Sequence, residues 1–181
     1  MKKLLMLIAF AGIMIPCSSQ SKNFKAFKVD VGLGYAIPSG GGGAKGGLTF
    51  TLEPHYRITN KIAAGLRLEG AALGYETVDA AGVSNVKVSL LNSYCLSGEY
   101  YFMDKHFRPF AGAGFGLFKQ SSISSTSDNV AVVKGDSKFG FYPVAGFEMG
   151  HLRLSGSYNI LGDNAGYLAF KIGAFFGGGK K

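Results

Sequence analysis

Between Leu48 and Ile58 the chain alternates without a break. Leu48, Phe50, Leu52, Pro54, Tyr56 and Ile58 hold the even positions, and Thr49, Thr51, Glu53, His55 and Arg57 the odd ones. A period of two puts each set on its own face of an extended strand. One face is uninterrupted hydrocarbon, while the other carries Glu, His and Arg.

The pattern recurs along the chain. Residues 25–36 place Phe27, Val29, Val31, Leu33 and Tyr35 opposite Lys28 and Asp30. Residues 62–75 set Ile62, Ala64, Leu66 and Leu68 against Arg67 and Glu69. Residues 86–102 set Val88, Leu90, Tyr94, Leu96, Tyr100 and Phe102 against Ser93, Cys95, Ser97 and Glu99, with Asn92 as the one polar residue on the apolar face. Segments 107–118, 138–149, 152–160 and 167–176 follow suit, their polar faces carrying Arg108, Tyr142 and Glu148, Arg153, and Lys171. With 47–58 this makes eight predicted strands. The connectors after strands one, three and five (37–46, 76–85 and 119–137) have ten, ten and nineteen residues, and those after two, four and six have three, four and two. Such alternation predicts an all-β, eight-stranded antiparallel up-and-down barrel, decorated at one end and trimmed at the other. The strands reach the roughly 9–11 residues that cross a bilayer at a tilt. The Gly-rich connector 37–46 lacks the Gly-Lys-Ser/Thr and following helix of a phosphate loop, because Lys45 is followed by Gly-Gly and a strand.

Composition agrees with an all-β chain rich in turns: 28 Gly, 15 Phe, 9 Tyr, no Trp and only 17 % charged residues, against about 25 % in ordinary soluble proteins. The first residues read as a secretory signal, with Lys2 and Lys3 before an apolar run from Leu4 to Pro16 that is too short to span a bilayer as a helix. Cleavage is expected after Ser19, leaving 20–181 as one barrel domain; a buried core helix at 1–16 is the bland alternative. Lipidation of Cys17 is a competing reading, opposed by Ile15-Pro16 where small residues are expected. Cleavage at Ser19 leaves Cys95 alone, without an intramolecular disulfide. The formal charge of +8 becomes 8 − 2 = +6 without Lys2 and Lys3, and no Lys/Arg cluster marks a nucleic-acid footprint.

A barrel of this kind has two possible exteriors. In a water-soluble ligand-binding barrel the apolar face points inward; in an outer-membrane barrel it points to lipid. The apolar set here is bulky, and eight strands enclose little room for it. The polar set is sparse and rich in Gly, Ser and Thr, whereas a water-facing wall would carry far more Lys and Glu. The membrane orientation is therefore expected, with lipid-facing and girdle residues Tyr35, Phe50, Tyr56, Tyr100, Phe102, Phe115, Phe139, Phe141, Phe147, Tyr158, Phe170 and Phe176. Pro54, Pro109 and Pro143 each remove a ladder donor, so local bulges are expected there.

The same register turns Glu53, His55, Arg57, Arg67, Glu69, Glu99, Arg108, Glu148, Arg153 and Lys171 into the lumen, toward the short turns. Charges in a narrow interior must pair. Both signs fall on neighbouring strands, with Glu53 and Arg57 beside Arg67 and Glu69, Glu99 beside Arg108, and Glu148 beside Arg153. An ion-pair plug is expected, with a gated path for small solutes as the functional alternative. Glu53 and His55 lie two apart with no visible nucleophile, so no catalysis is expected; His55, His106 and His151 are too scattered for a metal site, and no cofactor is expected.

The segments Val29–Tyr35, Arg108–Gly116 and Leu168–Phe176 resemble the small outer-membrane β-barrel superfamily of Gram-negative bacteria, the group with OmpA-, OmpX- and OmpW-like barrels. The last two are similar to the "porin family" barrels of Bacteroidetes. Lys171, Gly173 and Phe176 match the first part of that family's C-terminal insertion signal, from which the chain departs by continuing through Gly177-Gly178-Gly179 to two lysines. The resemblance implies an integral outer-membrane protein, exported through its signal and inserted by the assembly machinery. The expected role is structural or surface-interacting, with outer-membrane lipid and lipopolysaccharide as partners, a possible surface ligand at 37–46, 76–85 and 119–137, and a monomeric state. A narrow channel for small or hydrophobic solutes and a soluble periplasmic ligand-binding barrel are the alternatives.

Overall fold

The structure is a computed structural model that describes residues 24–39, 44–78, 84–126, 129–162 and 165–178. The expected signal segment and Cys17 lie outside these residues. Eight strands follow in order: β1 (Phe27–Pro38), β2 (Ala44–Arg57), β3 (Ile62–Val78), β4 (Ser84–Tyr101), β5 (Phe107–Thr126), β6 (Asn129–Met149), β7 (Leu152–Gly162) and β8 (Ala165–Gly177). Each pairs antiparallel with its neighbours, and β8 returns to β1 to close the barrel. Closure satisfies the backbone within the wall, which hydrocarbon surroundings require. Among the described residues no helix is long and apolar enough to cross a membrane.

Alternation in sequence becomes alternation in space. Leu48, Phe139 and Phe176 are 74 %, 68 % and 63 % exposed, and the expected girdle residues all stand on the outer wall, with Phe147 half-buried. Lys28, Arg57 and Arg67 are fully buried. Inward glycines create the room these side chains occupy. A Cβ on Gly65 would lie 2.5 Å from the His55 ring, and one on Gly114 would lie 2.5 Å from the Tyr142 ring.

Short turns close one end. The Thr59 hydroxyl accepts the Ile62 amide at 2.9 Å and the Lys61 amide at 3.2 Å, fixing the β2–β3 hairpin. Gly150 supplies φ +63 at the β6–β7 turn.

Two expectations are corrected. Of the expected connectors, residues 76–78, 84–85, 119–126 and 129–137 are strand: β3 continues to Val78, β4 starts at Ser84, β5 runs to Thr126 and β6 starts at Asn129. The Ser/Thr-rich run shows no apolar period, yet pairing from Ser122↔Val133 to Thr126↔Asn129 supplies the ladder that its pattern conceals. β3 to β6 are therefore 17, 18, 20 and 21 residues long, against 11 to 14 for the other four, so the barrel rises higher on one side. The prolines do not cause bulges. Pairing skips the Pro54 rung on the β3 side and the Pro143 rung on the β7 side, with the register unchanged across each gap. The register shifts lie instead at Lys45/Gly47, Lys119/Ser121 and Ile160/Gly162, toward the long connectors.

Candidate functional site

Among the described residues, the lumen is where the fold gathers chemistry-bearing side chains in number. Cross-strand register brings them together: Arg108↔Glu148 on β5–β6, Glu148↔Arg153 on β6–β7, and Asp30↔Glu53 with Lys28↔His55 on β1–β2. All ten residues assigned to the lumen from the sequence are buried.

Near the short turns Glu148 is the hub. Its carboxylate lies 2.5 Å from Lys28 Nζ, 2.7 Å from Arg153 Nη1, 2.9 Å from Arg108 Nη2 and 3.6 Å from Arg57 Nη2. Glu99 pairs with the fork of Arg153 through both nitrogens. The Tyr101 hydroxyl accepts from Lys28 Nζ at 2.9 Å and stands 2.9 Å from both Glu99 and Glu148, tying the two carboxylates together. Glu148 meets Arg153 as expected, but the expected pairing of Glu99 with Arg108 is replaced, because Arg108 reaches Glu148 and leaves Glu99 to Arg153 across the barrel.

One level higher, Lys171 Nζ lies 2.8 Å from Glu69 and 3.5 Å from Glu53. Arg67 donates to Asn159 Oδ1 at 2.5 Å, stacks 3.3 Å from the Tyr142 ring centre and sits 3.6 Å from Glu69, which also accepts the Tyr167 hydroxyl at 2.5 Å. Arg153 Nη2, 3.7 Å from Glu53, links the two levels. Above them buried apolar side chains, Leu73, Leu91, Phe118 and Leu161, stand beside buried Ser89, whose hydroxyl accepts from Gln120 Nε2 at 3.2 Å. The void between Asp30, Thr51, Glu53, Arg153 and Lys171 measures about 10 Å³, room for one water at most.

Two arrangements invite a chemical reading. Asp30 Oδ2 lies 2.8 Å from His55 Nδ1, and Ser97 Oγ lies 3.4 Å from Nε2, the order of a nucleophile relay. Nε2 is shared with Glu99 Oε1 at 3.5 Å, and the adjoining void admits no acyl substrate, so the geometry supports no catalysis. Glu53, His55 and Glu99 also converge, with one ligand atom each within 4.8 Å of the others. The sequence shows no such cluster, because two members come from β2 and one from β4. Glu99 is engaged by Arg153, and Glu53 by Lys171 and Arg153, so the donors already neutralise fixed cations.

Several participants lie outside the cluster expected from the sequence. Lys28 and Asp30, on the polar face of the first strand, are buried and join it. Tyr101 and Tyr167 carry the inward parity of Glu99 and Lys171, a signal masked by the expectation that aromatics face lipid. Phe24, buried before β1, lies in no alternating segment.

The comparisons agree with this architecture. The family model described as "Outer membrane protein beta-barrel domain" matches residues 5–174. Neisserial surface protein A superposes with a TM-score of 0.59 at 17 % identity, covering 83 % of this chain and 96 % of that one. Ail, the attachment invasion locus protein of Yersinia pestis, gives 0.51 at 15 % identity, covering 83 % and 99 %. No curated protein matches the chain. A closed eight-stranded barrel with a lipid-facing apolar wall, matched by the family model over nearly its whole length, places this chain in the outer membrane protein β-barrel domain family, and its location is the outer membrane.

Proposed function

We propose that this protein is a closed outer-membrane barrel with a structural or surface-interaction role rather than a pore. The filled lumen carries the reading: ion pairs occupy the half near the short turns, and Leu73, Leu91, Phe118 and Leu161 pack the half above. An ion crossing it would have to displace paired charges and then traverse apolar packing, both costly. The contact surface is the higher side of the wall, where β5 and β6 extend to Thr126 and Asn129 while the β6 ladder with β7 goes no further than Phe141↔Ile160. That side and the segment 37–46 would meet lipopolysaccharide or a surface partner. Planar bilayers containing the purified protein test the reading: silence is expected, and discrete conductance steps in the wild type would sink it.

A further inference from the structure

Among the described residues the lumen holds more positive than negative charge. Among the buried charged side chains described, six are basic (Lys28, Arg57, Arg67, Arg108, Arg153, Lys171) and five acidic (Asp30, Glu53, Glu69, Glu99, Glu148), so 6 − 5 leaves one positive charge before His55 is counted. The upper level balances, with Arg67 and Lys171 against Glu53 and Glu69. The excess therefore sits at the short-turn mouth, where Lys28, Arg57, Arg108 and Arg153 face Asp30, Glu99 and Glu148. A surplus charge in a barrel wrapped in hydrocarbon calls for a counter-ion.

Arg57 has the weakest claim on the fixed carboxylates. It is fully buried, yet its nearest carboxylate oxygen, Glu148 Oε2 at 3.6 Å, is shared with Arg108 at 2.9 Å. Its Nη1 donates to the Asn60 carbonyl at 3.5 Å, whereas Nε and Nη2 have no hydrogen-bond partner. Aromatic faces stand where an anion would. The Phe24 ring centre lies 4.9 Å from the Arg57 guanidinium and 5.0 Å from that of Arg108, and Tyr101 lies 4.4 Å from Arg57. Phe24 precedes β1 and is held over the mouth by the Arg57 amide donating to the Ala26 carbonyl at 2.7 Å.

We propose that Arg57 and Arg108 form a binding site for a phosphate-type oxyanion at the short-turn mouth, with Phe24 as its displaceable cap. The unbonded Nε–Nη2 edge of Arg57 suits an oxyanion, which accepts paired N–H groups, better than a spherical ion, and Arg108, which donates to the Gly178 carbonyl at 3.3 Å and lies 2.9 Å from Glu148, adds its charge beside it. Short turns face the periplasm in barrels of this family. Phosphate reaches that mouth free in solution or as the headgroup of an inner-leaflet lipid. The cap lowers apparent affinity by the fraction of molecules in which it is open.

The test uses the folded full-length protein in a phosphate-free detergent, at constant ionic strength, followed by phosphorus-31 line broadening. One arm titrates inorganic phosphate, the other short-chain phosphatidic acid. Phe24→Ala is expected to tighten saturable binding by about tenfold or more, as for a cap closed in at least nine molecules of ten. Adding Arg57→Gln to it should abolish saturation. Phe24→Leu, which keeps the apolar packing but not the π face, should tighten binding in the same direction if the alanine variant fails to fold. Saturation by inorganic phosphate assigns the free ion, and saturation by the lipid alone assigns the headgroup; either supports the site. Absence of saturation by both ligands in the uncapped protein, or saturation that survives Arg57→Gln, would overturn it.

Discussion

Glu148→Gln isolates the hub of the lumen. The glutamine keeps the shape of the side chain and loses one negative charge, leaving Lys28, Arg108, Arg153 and Arg57, now 2.5 to 3.6 Å from the carboxylate, around a neutral amide. At the mouth four cations would then face two carboxylates instead of three. Breaking a buried pair by removing one partner costs about 3–5 kcal/mol, and the lower figure applies here because Glu99 and Asp30 take up part of the load. A loss of about 3 kcal/mol shifts the folding equilibrium by roughly two orders of magnitude. The assay is reversible urea unfolding in lipid vesicles, with folded protein read from its gel mobility before boiling. Glu53→Gln is the internal control: its longer contacts at 3.5 and 3.7 Å predict a loss of about 1 kcal/mol. Equal losses for the two variants, or a Glu148→Gln loss below about 1 kcal/mol, would refute the idea that Glu148 organises the charges.

Phe115→Arg places a charge on the outer wall, at a ring 52 % exposed to lipid, and should cost about 2–4 kcal/mol in the same unfolding assay if that ring lies near the bilayer midplane. Gly114→Ala puts a Cβ 2.5 Å from the Tyr142 ring, which stacks on Arg67, and 2.6 Å from the Leu96 carbonyl oxygen, an overpacking cost of about 1–3 kcal/mol that the additional change Tyr142→Leu should relieve only in part, because the backbone contact stays. Cys95 is buried in the lumen with its thiol free, so a maleimide should leave it unmodified in the folded barrel and label it after boiling in dodecyl sulfate.

The faces of the strands were legible because period-two patterning is local: Phe50 and Glu53 declare their sides without help from any other segment. The upper parts of β5 and β6 were not, whereas β3 and β4 outrun their expected upper ends by only three and two residues. Apart from Ile123, residues 121–126 are Ser or Thr on both faces, so only the partner strands across Ser122↔Val133 and Thr126↔Asn129 make them a ladder. The upper lumen was missed for the same reason. Leu161 lies beyond its alternating segment, Leu73 stands near the end of its own, and Leu91 interrupts the polar face of 86–102; their burial depends on how high the opposite wall rises. Pro54 and Pro143 were over-read, since a missing N–H removes one rung and adds no residue, so neither strand has to slip.

By itself the sequence determined the all-β class, the number of strands, their up-and-down order, the lipid-facing wall and nine of the eleven charges found buried. Each follows from nearest-neighbour alternation and connector length. Beyond the neighbouring-strand pair Glu148–Arg153, only the tertiary structure decided who pairs with whom. Glu99 meets Arg153 from β7 rather than Arg108 from the adjacent strand, and Asp30 joins His55 and Ser97 in an order that strand-by-strand reading does not contain. The stagger of strands around a closed barrel sets those contacts, and stagger is a property of the ring as a whole. The same closure brings Phe24, from before the first strand, over Arg57 and Arg108 and leaves the mouth one positive charge in excess.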